Sequence, residues 1–390
     1  MQLTRWIGLR SHRITQFILV VIAFAGLQYA IGDDWPVGRG NSMSTAISVS
    51  KLPSTPELLW EYKTESSKSG FEGTPIIYDG KMIVGDFEGT IHSIDLMTGD
   101  PVWTVKKKDG FVTSAAASEG SVVIGDFSGM VYCLDASTGK DVWAREIEQQ
   151  VASGANFYAS NVLLSTDGGT LISMDLKTGE QIWSYATGDQ LKSSPSIWSN
   201  FSMLGGCDGK LHKINIAKGE SAGEGVALQA PTLSTPSIIG KIAIVPTHPG
   251  VVFAIDVETE KILWTFSDPE KAKDIWSSPA ALGKFENDQL LGIAVVASRN
   301  RRVLGLDLKN GKLLWEAMLK KRAEGSPVIC DGRAWIGATD GIVYAIDLEN
   351  GKETWTYQLP GQILASPAIA NDRLVIATEK GSVFCFGKKK

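Results

Sequence analysis

The sequence has few of the residues that build disulfide or metal frameworks. Four cysteines and four histidines occur in 390 residues, and no two cysteines have a CxxC spacing. This argues against a disulfide-stapled fold and against a structural zinc site. Positive charge is also scarce, because the net charge is −5 and the basic runs at residues 106–108, 299–302 and 388–390 are short. A nucleic-acid function therefore has no electrostatic support.

Long apolar runs are equally scarce, and the one that could enter a membrane lies at the N-terminus. Three arginines precede an apolar stretch at residues 17–25, which ends in a small-x-small sequence at residues 23–25. This composition predicts a secretory signal within residues 1–31. Residues 14–31 are also close to the minimum length of a membrane span, so an uncleaved N-terminal anchor stays an alternative. Either interpretation exports the rest of the chain to the periplasm or cell envelope, and confines membrane contact to this segment.

Glycine is abundant, with 41 residues, and it recurs in a sequence that repeats about every 40 residues. Residues 89–103 (GTIHSIDLMTGDPVW) and 129–143 (GMVYCLDASTGKDVW) align without gaps, and a Ser/Thr-Pro step precedes most copies. Eight copies are found in this way. The copies are anchored on a common acidic position, with Asn215 in the fourth copy and Gly387 in the eighth: Asp95, Asp135, Asp175, Asp256, Asp307 and Asp347.

Each copy has the length and the turn residues of four short antiparallel strands, which we name A to D. An Asp-Gly pair turns strand A into B in the first copy, and a Thr-Gly pair turns C into D. Units of about 40–45 residues with four strands are typical of propeller blades. The sequence therefore predicts an all-β, eight-bladed propeller over residues 57–387, after a lead-in at residues 32–56 and before a basic tail at residues 388–390.

The ring is predicted to close through both ends of the chain. The eighth copy stops after strand C, and residues 58–62 supply the missing strand D, which removes an open sheet edge. The recurring Asp is predicted to accept hydrogen bonds from turn amides. The recurring tryptophans are predicted to cover the seams between blades, as structural rather than cofactor-binding residues: Trp60, Trp103, Trp143, Trp183, Trp264, Trp315 and Trp355.

Strand C also explains half of the cysteines and histidines. Cys133 and Cys385 occupy a position that takes small side chains in nearly every copy. His92 and His212 occupy a position that takes aromatic or bulky side chains. Packing between blades is therefore the predicted role of these four side chains, in preference to metal binding or catalysis.

The pattern A-x-D-x-x-T-G-x-x-x-W, nearly complete at residues 93–103 and 133–143, resembles the tryptophan-docking repeat of pyrroloquinoline quinone (PQQ) propellers. Trp-Pro at residues 35–36 and Arg-Gly at 39–40 are similar to the lead-in of secreted PQQ-repeat proteins. The resemblance covers residues 35–387. It implies the quinoprotein-type propeller fold and leaves the activity open, because the family includes PQQ-dependent dehydrogenases and non-enzymatic, BamB-like members.

The resemblance implies two candidate functions. A PQQ-dependent dehydrogenase of alcohols or sugars would need calcium ligated by carboxylate and amide oxygens, and cations for the quinone's carboxylates. At the channel mouth, three residues ahead of each Ser/Thr-Pro step, Glu72 and Glu324 are the two acidic residues among eight. The adjacent cysteine pair of the family's alcohol dehydrogenases and a CxxCH haem motif are both missing. We therefore predict no catalytic and no metal-ligating residue.

The favoured function is a non-enzymatic, BamB-like scaffold of the cell envelope, acting as a monomeric propeller that binds a protein partner. BamB proteins are usually lipoproteins, and no cysteine near the N-terminal segment could accept a lipid. PQQ with calcium stays the alternative ligand. If the channel mouth binds a ligand, the candidate residues lie in the B–C and D–A loops: Lys192, Trp276, Arg299, Arg301 and Glu324.

Two copies are irregular and offer a second candidate surface. The fourth copy lacks its tryptophan within residues 219–225, which predicts a weak outer strand. The sixth copy carries an insertion at residues 283–291, between strands A and B. Both lie on the face of the A–B and C–D turns, which is either a partner edge or a surface that tolerates drift of the repeat.

Overall fold

The computed structural model describes residues 34–66, 68–147, 149–268 and 274–389, and the predicted signal or anchor at residues 1–31 lies outside them. The regular secondary structure of the described residues consists of β-strands, which form eight separate sheets. No helix in this part of the chain is long and apolar enough to cross a bilayer. The predicted all-β, eight-bladed propeller is confirmed.

Each blade is an antiparallel sheet whose strands A to D follow one another outward from the axis. Blades 1 to 4 contain β3 (Ile76–Tyr78), β4 (Lys81–Gly85), β5 (Thr90–Asp95) and β6 (Pro101–Lys106); β7 (Ala116–Ser118), β8 (Ser121–Gly125), β9 (Met130–Asp135) and β10 (Asp141–Glu146); β11 (Asn156–Tyr158), β12 (Asn161–Ser165), β13 (Thr170–Asp175) and β14 (Gln181–Ala186); β15 (Ser196–Trp198), β16 (Phe201–Gly205), β17 (Lys210–Asn215), β18 (Glu220–Ser221) and β19 (Val226–Ala227).

The second half of the ring repeats this plan and takes in two strands from before the first blade. Blades 5 to 8 contain β20 (Ser237–Ile239), β21 (Ile242–Pro246), β22 (Val251–Asp256) and β23 (Lys261–Ser267); β24 (Ala280–Glu286), β25 (Gln289–Ala297), β26 (Arg302–Asp307) and β27 (Leu313–Met318); β28 (Val328–Cys330), β29 (Arg333–Gly337), β30 (Ile342–Asp347) and β31 (Glu353–Gln358), joined by β1 (Ile47–Ser48); β32 (Ala368–Ala370), β33 (Arg373–Ala377) and β34 (Ser382–Gly387), joined by β2 (Glu57–Lys63).

The core lies between the blades. Strands B and C are buried on both faces, as in β4 and β5, because each blade packs against two neighbours. Strand D alternates between buried and exposed side chains, as in β6, because its outer edge meets water. These positions in the ring explain why the B strands have apolar sequences and why apolar and polar residues alternate in the D strands.

The predicted closure of the ring is confirmed. β2 pairs antiparallel with β34, with Leu58 opposite Phe386 and Trp60 opposite Cys385. The strand that precedes blade 1 is therefore the outer strand of blade 8. Tyr62 on this strand reaches blade 1, where its hydroxyl lies 3.0 Å from Nδ1 of His92.

The tryptophans cover the seams as predicted. Nε1 of Trp60 donates to the Leu96 carbonyl of the next blade at 3.0 Å, and Trp103 and Trp143 make the equivalent bonds at 3.1 and 2.8 Å. The indole also lies against the glycine of the next C–D turn, so a Cβ on Gly139 would stand 2.7 Å from the Trp103 ring. Six of the seven docking tryptophans therefore require a glycine one blade further on, and Trp355 instead packs edge-on against Phe386 of blade 8.

The anchoring Asp holds that turn in place, also as predicted. Oδ1 of Asp95 accepts hydrogen bonds from the amides of Met97 and Thr98 at 2.9 and 2.8 Å. The same two bonds recur at Asp135, Asp175, Asp256 and Asp347, whereas Asp307 accepts from the Lys309 amide through Oδ1 and from Nδ2 of Asn310 through Oδ2. At Asp135 the hydrogen bonds from the Ser137 and Thr138 hydroxyls, followed by those from the turn amides, lower the carboxyl pKa to about 2.

The seam between blades 4 and 5 departs from this plan on both sides. Blade 4 has Gly223 where the other blades have tryptophan, and its outer edge is the two short strands β18 and β19, as the sequence predicts. Blade 5 has Glu260, at a positive φ of 56°, where the other turns have glycine. The Glu260 carboxylate lies against Gly223, since a Cβ there would stand 2.1 Å from its Oε1.

The insertion of blade 6 extends the hairpin of β24 and β25, which pair from Ala280 with Val295 to Glu286 with Gln289. Phe285 on this extension reaches blade 5, where a Cβ on Gly240 would meet its ring at 2.5 Å. The extended hairpin therefore supports the neighbouring blade next to the irregular seam.

The lead-in forms a strap that the sequence analysis does not predict. Residues 34–51, here called the strap, contact the inner strand or its turn in every blade in order. The contacts to blades 1 to 8 are made through Ile77, Ala117, Asn156, Ile197, Ile238, Ala281, Ile329 and Asp372. β1, within the strap, pairs in parallel with β28.

The strap lies at one end of the central channel. Its partners are at the ends of the A strands, next to the A–B turns, so it lies at the face formed by the A–B and C–D turns, here called the turn face. Trp35 and Ala46 are fully buried there. The opposite face, formed by the B–C and D–A loops, is here called the loop face.

Candidate functional site

A funnel opens on the loop face around the propeller axis. Its volume is about 580 Å³. The position three residues ahead of the Ser/Thr-Pro step provides its rim in seven blades: Glu72, Val112, Ala152, Lys192, Leu233, Glu324 and Leu364. The repeat therefore places one rim side chain per blade and allows each to vary in chemistry.

A ring of hydroxyl groups surrounds the channel below this rim, and it explains why Ser or Thr precedes the proline in most copies. The amide of Thr74 donates to Oγ of Ser114 in the next blade at 3.2 Å, and Ser366 closes the ring by donating to Thr74 at 3.2 Å. Four further links run from Ser194 to Ser366 through Thr235, Ser278 and Ser326. Gly154 in blade 3 has no hydroxyl and interrupts the ring.

The charges of the rim are mostly paired. Lys192 forms an ion pair with Asp167. Glu324 accepts from Nε and Nη2 of Arg299 at 3.0 and 2.8 Å. Its other oxygen lies 2.7 Å from Nε of Arg322, an ion pair without an aligned hydrogen bond. Of the three carboxylates that line the funnel, Asp167 and Glu324 are therefore neutralised.

Glu72 is the third carboxylate, and no cation pairs with it within the described residues. Its side chain is open to the water of the funnel, but the funnel wall partly desolvates it. This burial, followed by the charge of Glu324, raises the pKa of the Glu72 carboxyl. Glu72 is the rim charge that is available to a partner.

The predicted site residues fall into two groups. Lys192 and Glu324 line the funnel. Trp276 stands beside it, with the Arg299 guanidinium 3.7 Å from the centre of its ring and the His248 ring at 5.4 Å. Arg301 lies instead in a neighbouring cavity, which Arg299 also lines. Trp276, Arg299 and Glu324 thus form one stacked and paired cluster.

Two histidines, His92 and His212, and three of the cysteines are buried inside the blades, whereas His248 and Cys207 are partly exposed. His92 is buried and bridges Tyr62 to Asp86, whose Oδ2 lies 2.9 Å from Nε2 of the ring. His212 lies 2.9 Å from Asp208 in the same way, so both fill the bulky position and also hold a B–C turn. The cysteines are free thiols, and burial raises the pKa of Cys133 to about 11. Such thiols do not act as nucleophiles.

Calcium and PQQ do not fit the side chains of the funnel. Calcium takes six to eight oxygen ligands. Here Asp167 and Glu324 are occupied by cations, and nowhere in the described part of the chain do three His, Cys, Asp or Glu side chains converge on a metal position. Lys192 and Arg299 are already paired, which leaves neither for the carboxylates of a quinone.

Comparison with known proteins agrees with the repeat. A family described as "Outer membrane protein assembly factor BamB" matches residues 87–235, 225–329 and 299–389. The structure of BamB from Moraxella catarrhalis superposes with a TM-score of 0.70 at 20% identity, covering 86% of this chain and 98% of that one. The quinohemoprotein alcohol dehydrogenase of Comamonas testosteroni gives a TM-score of 0.74 at 15% identity, covering 92% and 81%.

The sequence likeness to that dehydrogenase is local. It is 43% identical over 47 residues, which are 12% of this chain and 6% of the dehydrogenase. The structural likenesses show the fold alone, whereas the family match extends over most of the propeller. The chain belongs to the PQQ-like repeat β-propeller family, through the group described as the outer membrane protein assembly factor BamB.

Proposed function

We propose that this chain is an exported, non-enzymatic propeller that binds a partner protein in the cell envelope through the rim of its loop-face funnel. The family match to an outer membrane protein assembly factor supports a scaffold. The basic and apolar N-terminal sequence, residues 1–31, supports export, by a cleaved signal or an anchor. Neither the family match nor the N-terminal sequence indicates which protein is bound, so the binding surface is inferred from the residues of the funnel.

The observation that carries the proposal is the combination of an open mouth with paired charges. Ion pairs hold Lys192 of blade 4 and Glu324 of blade 7, and these two residues give the rim a polar frame. Leu233 and Leu364 stand between them, and Glu72 brings an unpaired negative charge. A polar frame around apolar positions is the composition of a protein-binding surface.

The closed far end of the channel supports the same proposal. Arg39 of the strap donates to the Ser278, Pro279 and Pro327 carbonyls at the inner strands of blades 6 and 7. The strap therefore occupies the turn-face end of the channel, and the funnel is a blind cavity. Such a cavity suits a side chain or a loop inserted from a partner.

Charge reversal at Glu72 tests this proposal. Purified protein carrying Glu72→Arg should capture its envelope partner at least about tenfold less than the wild type. The introduced arginine would either repel a positively charged group of the partner or be covered by the partner without an anion to pair with. Quantitative pull-down from envelope extracts measures the effect. Glu119→Arg, in the exposed A–B turn of blade 2 on the turn face, is the matched control and should capture normally. Equal capture by the two variants would refute the rim as the binding surface.

The second candidate is a PQQ-dependent dehydrogenase of an alcohol or a sugar. The 47-residue likeness to a quinohemoprotein alcohol dehydrogenase favours it. It would require the rim ion pairs of Lys192 and Arg299 to open, so that these cations could bind the quinone's carboxylates. It would also require calcium ligands beyond Glu72 and the paired carboxylates.

A further inference from the structure

A second cavity lies on the loop face, away from the axis. It has a volume of about 630 Å³ and lies where the B–C turns of blades 6 and 7 meet the D–A loop that joins them. Four cations line it together with Asn300, Thr339 and Asp340: Arg299, Arg301, Lys321 and Arg322. We call it the basic pocket. In a chain of net charge −5, this is an exceptional concentration of positive charge.

Arg301 adopts a backbone conformation that the rest of the ring leaves to glycine. Its φ is 74°, in the left-handed region. The equivalent position of the other seven blades is a glycine with φ between 73° and 95°: Gly89, Gly129, Gly169, Gly209, Gly250, Gly341 and Gly381. A side chain at such a position costs conformational free energy. Blade 6 therefore carries arginine where glycine would favour folding.

No contact within the described protein offsets this cost. The Arg301 side chain is exposed, and neither it nor Lys321 has an acidic partner among the described residues. Arg299 and Arg322 share Glu324, and Asp340 accepts a hydrogen bond from the Ile342 amide at 3.3 Å. The pocket thus has two cations without an acidic partner among the described residues, beside two arginines that a single carboxylate pairs with.

We propose that the basic pocket binds a phosphate-type anion, with Arg301 and Lys321 as its main contacts. A guanidinium presents paired N–H donors that match phosphate oxygens, and an ammonium adds a point charge beside them. The cavity is larger than one phosphate, so it suits a diphosphate or a phosphoryl group carried by a larger molecule. The pocket adjoins the funnel through the ion pairs of Glu324, but Arg301 and Lys321 do not line the funnel, and the proposal does not depend on the scaffold proposal.

The test is calorimetric titration of the full chain with inorganic pyrophosphate at low salt. Saturable binding should weaken at least tenfold in Arg301→Gly and in Lys321→Ala, and should weaken as sodium chloride rises. Arg301→Gly restores the residue of the other seven blades, so its melting temperature should stay equal or rise by about 2–4 °C. A purely structural arginine would lower the melting temperature when replaced.

The matched control is Lys218→Ala, which removes one exposed charge from the C–D turn of blade 4 on the turn face, and it should bind pyrophosphate normally. Vesicles of phosphatidylglycerol form a second arm. Vesicle binding that depends on Arg301 identifies a lipid phosphate, and pyrophosphate binding alone identifies a soluble one. The proposal is overturned if pyrophosphate fails to bind or if Arg301→Gly binds it normally.

Discussion

Deleting residues 58–62 should abolish the single cooperative unfolding transition of the propeller and lower its melting temperature by more than about 10 °C. These residues form most of β2, the outer strand of blade 8. Their loss opens the ring and leaves the edge of β34 unpaired. The melting curve measured by circular dichroism should broaden or split, because blades on either side of the gap no longer unfold together.

A single substitution distinguishes the effect of opening the ring from the effect of shortening the chain. Trp60 donates to the Leu96 carbonyl at 3.0 Å and lies against Gly99, so it ties blade 8 to blade 1. Trp60→Ala should cost about 3–5 kcal/mol, the usual range for a packed tryptophan. Trp276→Ala, which removes a 37% exposed indole from the loop face, is the control and should cost much less. Equal losses in the two variants, or an unchanged melting curve in the deletion, would disprove closure by β2.

Arg39→Ala should destabilise the propeller by about 2–4 kcal/mol. Arg39 is 7% exposed, and its Nη2 lies 3.0 to 3.3 Å from the Ser278, Pro279 and Pro327 carbonyls. Burial without a carboxylate partner lowers the pKa of Arg39. Removing the side chain relieves that desolvation, including the cost of the unbonded Nε and Nη1. It also leaves three buried carbonyls without this donor and a cavity under the strap, and we expect this second effect to be the larger.

Urea denaturation measures the Arg39 effect, and limited proteolysis locates it. Residues 34–56 should become cleavable in Arg39→Ala while the blades stay resistant. Arg145→Ala, at an exposed arginine in the outer strand of blade 2, is the control and should change neither result. Wild-type stability together with a protected strap in Arg39→Ala would show that the strap does not depend on this residue.

The fold could be predicted because the eight copies share one local structure, so the pattern seen in one blade supports the assignment of the others. The Asp at position 95 and its equivalents, the turn glycines and the docking tryptophans recur at fixed offsets, and fixed offsets reflect one local structure built eight times. Even the missing tryptophan at Gly223 correctly predicted a weak outer strand. The paired change at Glu260 could have been found in the same way, since the docking glycine belongs to the following blade.

The strap and the site could not be predicted in this way, because they depend on single positions. Residues 34–51 have no counterpart elsewhere in the chain, and their contacts with all eight blades come from the closed ring. The ion pairs of Glu324 depend on how two loops approach one another. Arg301 carried a local signal, its place in a glycine series, which becomes meaningful once its positive φ is known.

The most direct test of the central claim, that the funnel is a protein-binding mouth and not a quinone site, is titration of the purified protein with PQQ in calcium chloride, followed by dye reduction with alcohols and sugars. The rim ion pairs of Lys192 and Glu324 predict no saturable quinone binding and no substrate-dependent dye reduction. Stoichiometric PQQ binding, with dye reduction that a calcium chelator abolishes, would contradict the account.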